Sequence, residues 1–372
     1  MFLAVKEMRR SLGRFAMLTI AIGLLVFLVL FQATIRNGLV TTFVGGIENQ
    51  SAPVLVLSTD ALRTLSASRI DATTQQSISA VDSVAETATM GQVVAPVRAG
   101  GSTKALSVVG YSNPRLGGPT TLVSGRLPRA AGEVVANQGD AGDGFALGDT
   151  VTVIPMGMKL TVVGQATDID LGFPTVFATY DTFTGVVRAA NPDAGEISPN
   201  AIAVRPAAGV SDAQVTSDIN AIGDNVDALT RRQLAADAPG VAQVKTSFLL
   251  IFILFGFVVP LVTGLFFLIV TFQKAGSLTL LRAIGVRGGV LVRSLLVQVV
   301  IVVGLGLLVG IGMYLPLSSQ KIGSISLRFE TASVLFWSVL FLVLGLASSL
   351  FAARRVLAID PIEATTGAGV GR

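Results

Sequence analysis

The sequence predicts an α-helical membrane protein with four transmembrane helices and an α+β extracytoplasmic domain inserted between the first and second. Three observations carry this. Of 372 residues 51% are hydrophobic and 13% charged, with a mean hydropathy of +0.72, against roughly 25% charged residues in an ordinary soluble domain. The apolar residues gather in four long runs, one near the start and three after Lys245. The charges are partitioned: residues 45–245 hold 13 Lys/Arg and 19 Asp/Glu, a net of −6, and the rest of the chain holds 14 and 4.

That partition bears on partners. A net charge of +4 would suit a nucleic-acid binder, but the basic excess flanks the apolar runs instead of forming a groove-sized patch. This is the positive-inside pattern of a chain whose solvent is the lipid bilayer, so no nucleic acid is expected. Cysteine and histidine are both absent. Lack of cysteine fits an exported domain without a disulfide framework. Lack of histidine removes the commonest metal ligand and general base, and no structural metal is expected.

Residues 1–14 carry Lys6, Arg9, Arg10 and Arg14 against Glu7, with Phe2, Leu3, Val5, Met8 and Leu12 at nearly helical spacing. That is the pattern of an amphipathic helix on the inner leaflet. Residues 15–35 carry no charge, and about 21 residues at 1.5 Å each cross a core of roughly 30 Å. A signal peptide shares the basic start and apolar core. The run exceeds a usual h-region and no small-x-small site follows Phe31, which favours an uncleaved span.

Residues 45–240 have the composition of a soluble domain. Runs rich in Val, Ile, Thr and Leu, punctuated by Gly, Pro, Asn and Asp, predict strands at 54–58, 93–99, 106–111, 133–136, 150–155, 159–164, 175–180 and 201–205. Helices are predicted at 60–69, 72–81, 181–188 and 211–222, the last with Ser211 as N-cap. Clustered strands with intervening helices argue for an α+β domain, its strand-rich middle, about 100–180, forming one of two lobes.

The membrane resumes with a second span at 246–272, in which Pro260 removes a backbone donor. A polar island at 273–289 follows, with Lys274, Arg282 and Arg287 and no anion. The third span is 290–315, with Arg293 able to snorkel. The fourth is 331–351, and the tail 352–372 begins with Arg354 and Arg355. Placing the N-terminus, the island and the Arg354–Arg355 end inside satisfies every basic cluster. Both termini are then cytoplasmic in the cell (plasma or inner) membrane, and the large domain and the 316–330 loop face outward.

No phosphate loop, Gly-x-Ser-x-Gly elbow, His-Glu-x-x-His or cysteine cluster is present, so no catalytic residue is expected and ATP is not hydrolysed here. The spans hold almost no ionisable residue, unlike ion-coupled carriers, and four are few for a carrier built from repeats. A cationic inner loop on a chain without a motor predicts a subunit driven by a partner.

The segment Lys274-Ala275-Gly276-Ser277-Leu278-Thr279-Leu280-Leu281-Arg282-Ala283-Ile284-Gly285-Val286 resembles the "K…E…LLRAIG" signature of MacB/FtsX-type (type VII) ABC transporter permeases. Ala352-Ala353-Arg354 through Asp360-Pro361-Ile362-Glu363-Ala364 is similar to that family's C-terminal motif. So are Gly125-Arg126-Leu127-Pro128, Gly132-Glu133-Val134-Val135, Leu147 to Val151 and Leu160 to Gly164 to its extracytoplasmic segments. One departure is Gly276-Ser277, where the family often has a Glu. The resemblance implies a permease homodimer with two ABC ATPase subunits that bind ATP and Mg. It also implies mechanotransmission, with Lys274, Leu281, Arg282, Ala283, Ile284 and Gly285 coupling to the ATPase.

The start Met1 to Ser11 and the compact outward domain look most like the DevC/HrtB-like branch, which includes haem-efflux permeases paired with an HrtA-like ATPase. Haem is therefore the leading substrate, with no intrinsic cofactor. Without His or Cys its iron would need Met, Tyr or carboxylate. The outer-leaflet candidates are Glu48, Met313, Tyr314 and Glu330, with Arg36, Lys321 or Arg328 for the propionates. A Met-Tyr pair at a span end is more often packing plus an interfacial anchor than a ligand set. Export of a peptide, antibiotic, lipid or lipoprotein, and FtsX-like signalling to a cell-wall hydrolase, remain open. Gly304, Gly306, Gly310 and Gly312 fit a dimer face or close packing within one subunit. The phenylalanines of the second span, Phe248 and Phe252 among them, fit a cavity or lipid contact, and Trp337 reads as an interfacial anchor.

Overall fold

The computed structural model describes residues 11–273, 288–318, 320–322, 325–327 and 329–357. In chain order the elements are α1 (Leu12–Glu48), β1 (Val54–Ser58), α2 (Ala72–Ser79), β2 (Val84–Ala99), β3 (Ser102–Tyr111), β4 (Leu122–Gly125), β5 (Glu133–Asn137), β6 (Thr150–Val153), β7 (Lys159–Ala166) and β8 (Thr175–Thr179). Then come α3 (Tyr180–Ala190), β9 (Ala201–Pro206), α4 (Asp212–Asn220), β10 (Val226–Thr230), α5 (Arg231–Ala236), α6 (Val241–Gln273), α7 (Gly288–Tyr314), β11 (Lys321–Ile322), β12 (Ile325–Ser326) and α8 (Thr331–Leu357). They divide into two units. One takes α1 up to Arg36, α6 from Thr246, α7 and α8; the other takes Asn37–Lys245 with the β11–β12 hairpin.

Among the described residues α1, α6, α7 and α8 are long and apolar enough to cross a membrane, so the chain is a multi-pass membrane protein. The predicted spans 15–35, 246–272, 290–315 and 331–351 all fall within these helices or end one residue beyond, and α1 and α6 run further. The amphipathic segment 1–14 and the tail 352–372 lie mostly outside the described residues.

In the helical unit, Phe15, Leu18, Ile22, Val26, Val29 and Leu30 of α1 meet Val259, Val299, Val302, Val303 and Phe341. Small residues bring the backbones close. A Cβ on Gly306 would lie 2.7 Å from Ile22 Cγ2, and one on Gly310 2.6 Å from the Gly23 carbonyl oxygen. Gly304 and Gly312 meet nothing within 4 Å. The Gly-x-x-x-Gly pair Gly306/Gly310 thus seats α7 on α1 within one subunit. Between α6 and α8, Ser348 Oγ donates to the Pro260 carbonyl at 2.7 Å. A Cβ on Gly264 would stand 2.4 Å from that hydroxyl oxygen.

The second unit is built on one sheet of order β10-β1-β9-β2-β3-β8-β5-β7-β4, in which β6 pairs with both β2 and β7. The last pairing closes a ring, β2-β3-β8-β5-β7-β6, so half of the sheet is a six-stranded barrel. Two-residue alternation fills it. Ala95, Val97, Leu106, Val108, Val134, Val151, Val162 and Val176 face the interior, joined by Val186 and Ala189 of α3. Alternate residues Met90, Val109, Tyr111, Val135 and Phe177 face a second core that holds Leu55, Ala203, Leu234 of α5, Val44 and Ile47 of α1 and Val241 of α6. The open half of the sheet is covered by α2 and α4 through Ile78, Val215 and Ile219. β2, sixteen residues long, belongs to both halves. This is the α+β architecture expected, with the strand-rich middle as a lobe.

Segment 60–69 is not the helix that was expected. It forms two 3-10 turns, Thr59–Ala61 and Leu65–Ala67, with Leu62 and Arg63 between them at φ 48° and 61°. Arg63 holds Asp227 at 3.1 Å and Asp237 at 2.5 Å, and these ion pairs fix the reversal that a continuous helix would erase. The Asn200 amide stitches the same loop to the sheet: its nitrogen donates to Ser66 and Ser68 carbonyls and its oxygen accepts from Gln92 N–H at 2.7 Å.

Candidate functional site

The predicted substrate residues fall in both units. Glu48, exposed, ends α1 in the sheet-bearing unit, and Arg36, Met313, Tyr314 and Glu330 lie in the helical unit. Met313 and Tyr314 are neighbours near the end of α7, so about 100° of helix separates their side chains. Met313 is 40% exposed and Tyr314 is 1% exposed. The Tyr314 hydroxyl lies 2.6 Å from Thr34 Oγ1 in a buried hydrogen bond that ties α7 to α1, and the ring lies tilted against Phe329, centroids 5.8 Å apart. Tyr314 is therefore a packing residue in this conformation, and the pair does not present a common face. Glu330 precedes α8, and its carboxylate accepts from Ser333 Oγ at 2.7 Å. That is a side-chain bond across the first turn of α8, and it leaves the anion beside the positive end of the helix dipole.

Arg36 gains a setting that the sequence did not announce. Its guanidinium carbon stands 5.4 Å from the centre of the Phe252 ring. Phe252 lies 4.9 Å from Trp337 and 6.3 Å from Phe248, and Trp337 is 5.3 Å from Phe336. Arg36 on α1, Phe248 and Phe252 on α6, and Phe336 and Trp337 on α8 thus make one cluster of tilted rings with a cation against it, in which Phe252 is buried and Phe336 is exposed. Flat rings accept a planar apolar molecule, and a guanidinium beside them pairs with acid groups. Sequence reading treated Arg36, Phe252 and Trp337 separately. They share no signal in the sequence: Arg36 follows one apolar run, and Phe252 and Trp337 each lie within another.

Lys274, Leu281, Arg282, Ala283, Ile284 and Gly285 lie outside the described residues, as does Arg328. The C-terminal motif around Asp360-Pro361 does too.

The quoted motifs of the sheet-bearing unit prove to be turn chemistry. Gly125 ends β4 at φ 71°, and a Cβ there would lie 2.3 Å from the Val163 carbonyl oxygen, so only glycine fits. Arg126 then reaches Glu133 with both terminal nitrogens, at 2.7 and 2.5 Å. Glu133 also accepts from the Arg129 and Ala130 amides. The Arg126 bonds first, then the backbone donors, hold its carboxyl down to about 2. Asp149, in the Leu147–Val151 motif, accepts from Ala146 N–H at 2.8 Å and closes its own turn.

Residues 15–222, more than half of the chain, match the family described as MacB-like periplasmic core domain. Over 379 aligned residues, covering 99% of each chain, the sequence is 24% identical to "Putative hemin transport system permease protein HrtB" of Staphylococcus haemolyticus. Among solved structures, it is similar to the periplasmic region of MacB from Actinobacillus actinomycetemcomitans, at 14% identity over 50% of this chain and 92% of that one, with a TM-score of 0.37. A second is the extracellular domain of the noncanonic ABC-type transporter YknZ from Gram-positive bacteria, at 10% identity over 48% and 99%, with a TM-score of 0.34. The chain belongs to the family of the MacB-like periplasmic core domain and is a MacB/FtsX-type permease of the ABC transporter class.

Proposed function

We propose that this permease expels a planar amphipathic compound, haem foremost, from the outer part of the membrane, driven by ATP hydrolysis in an HrtA-like partner. The observation that carries the haem assignment is the full-length similarity to a protein named as a hemin transport permease. The aromatic cluster beside Arg36 supports it, since haem is a flat dianion. In this reading the permease is a homodimer with both termini and the 273–289 island inside, where Lys274, Leu281, Arg282, Ala283, Ile284 and Gly285 take the push of the ATPase. The sheet-bearing domain stands outside. Mechanotransmission is supported by Val44, Ile47 and Val241, which build the end of α1 and the start of α6 into the core of the domain those helices flank.

The test is an absorbance titration of the purified permease–ATPase complex with haemin. A Soret shift is expected that weakens about tenfold in apparent affinity for Arg36→Ala, the worth of one charge-assisted bond. It should fall also for Met313→Ala, Glu48→Gln or Glu330→Gln, and survive in Tyr314→Phe. Absence of a shift at any ratio, with hydrolysis stimulated by a different amphiphile, overturns the haem assignment. Arg282→Glu with Ile284→Glu should uncouple hydrolysis from export; normal export by that variant would remove the island from the mechanism.

A further inference from the structure

The backbone of α6 is weakened at one place by four independent features. Pro260 has no N–H, so the Gly256 carbonyl loses its partner one turn later. Val259, the next carbonyl but two, accepts from Thr263 Oγ1 at 2.8 Å, a back-bond that loosens and bends helices. The Pro260 carbonyl accepts from Ser348 Oγ of α8 at 2.7 Å, in competition with the Gly264 amide. Gly256 and Gly264, one turn on either side, lower the helix propensity of the same stretch. Gly264 has a second reason to be glycine, because a Cβ would press within 2.4 Å of the Ser348 hydroxyl.

We propose that residues 256–264 are a joint in α6 and that the Ser348 hydroxyl is its latch, holding the joint in the conformation seen here. Thr263 is 1% exposed and Val259 3%, whereas Phe257 and Leu261 are exposed, so one face of the joint is covered by the other helices, and the latch is supplied on that face by α8. Breaking the single neutral bond from Ser348 should raise the population of the alternative geometry about fivefold. The joint stands on the contacts of α6 and α8 alone; its use in passing motion toward the 273–289 island rests on the mechanical reading above.

The chain has no cysteine, so two introduced thiols report without background. Leu250→Cys and Ile269→Cys, both exposed sites on α6 flanking the joint, should carry spin labels about 28 Å apart along the axis. They would be measured in the full-length protein in lipid nanodiscs by pulsed dipolar spectroscopy. One dominant distance is expected in the parent. Ser348→Ala should add a second, shorter population about fivefold above its parent level, Gly264→Ala should reproduce it by displacing the hydroxyl, and adding Pro260→Ala should abolish it. Identical distributions in parent and Ser348→Ala, or a shorter population that persists without Pro260, overturn the joint. A separate arm measures haemin-stimulated ATP hydrolysis by the complex. Altered distances with unaltered stimulation uphold the joint and sink the mechanical reading instead.

Discussion

Gly91 of β2 stands directly opposite Gly110 of β3, and the ring of Phe183 from α3 rests on both. A Cβ at either glycine would come within 2.3 Å of Phe183. The two missing side chains form the seat by which α3 closes on the barrel wall, and an aromatic ring laid across paired glycines restores the packing they lack. Gly110→Ala should destabilise the domain by about 1–3 kcal/mol through overpacking, read as a lower midpoint in thermal unfolding followed by circular dichroism. Phe183→Ala with Gly110→Ala should cost less than the sum of the two single changes, since the clash disappears with the ring. Additive losses would mean that Phe183 is not the group the alanine meets.

Glu133 gives a pH prediction with a definite sign. In the folded protein it is held down to about 2, below the ordinary glutamate value of 4.5, so its contribution is present above about 4.5 and is lost as pH falls toward 2. The pair is exposed and screened, so the effect is local. Hydrogen-exchange protection at Arg129 and Ala130, corrected for intrinsic rates, should fall across that window in the parent. Glu133→Gln should lose the pH dependence. Protection that declines equally in both would assign it to another group.

The glycines of α7 should separate by face. Gly306→Leu and Gly310→Leu should drive α7 off α1 and reduce folded yield, whereas Gly304→Leu and Gly312→Leu should be tolerated within about 0.5 kcal/mol. The check is monodispersity in detergent with thermal stability. Equal damage from all four would place a partner on the open face.

Asn200→Ala, at a residue 1% exposed, should leave the Gln92 amide without its acceptor, while the Ser68 carbonyl keeps its bond from Arg69 Nη1 at 2.7 Å; the loss should be about 1–3 kcal/mol for the one stranded group. Proteolysis between residues 59 and 70 should quicken. Unchanged cleavage would show that the loop's other ties, the Arg63 ion pairs and the Arg69 bonds to the Ser66 and Ser68 carbonyls among them, hold it without Asn200.

Much of the fold was legible because its driving patterns are local. Four apolar runs announce four spans, and alternation announces strands such as Leu106–Tyr111, where successive residues enter opposite cores. β4 and β10 escaped. Leu122–Gly125 is an edge strand with Leu122 and Val123 exposed, so it shows no alternation, and Val226–Thr230 carries Asp227 for Arg63 in mid-strand. Segment 60–69 has helical composition, but partners more than 160 residues away decide its shape. Distance in sequence likewise hid the cluster that Arg36, Phe252 and Trp337 form. Nothing in Met313-Tyr314 says which of two adjacent side chains turns inward.

The sharing of β2 between the barrel and the open sheet has a practical result for dissecting the protein. Val84–Met90 pairs with β9 and Val93–Ala99 with the barrel strands β3 and β6, so no cut in the chain separates the lobes without taking a wall from one. Neither lobe is a module that can be excised, expressed or exchanged by itself. A chimera that aims to transplant the barrel must carry the open sheet with it, and a one-residue insertion in the middle of β2 would put one of its two halves inside out.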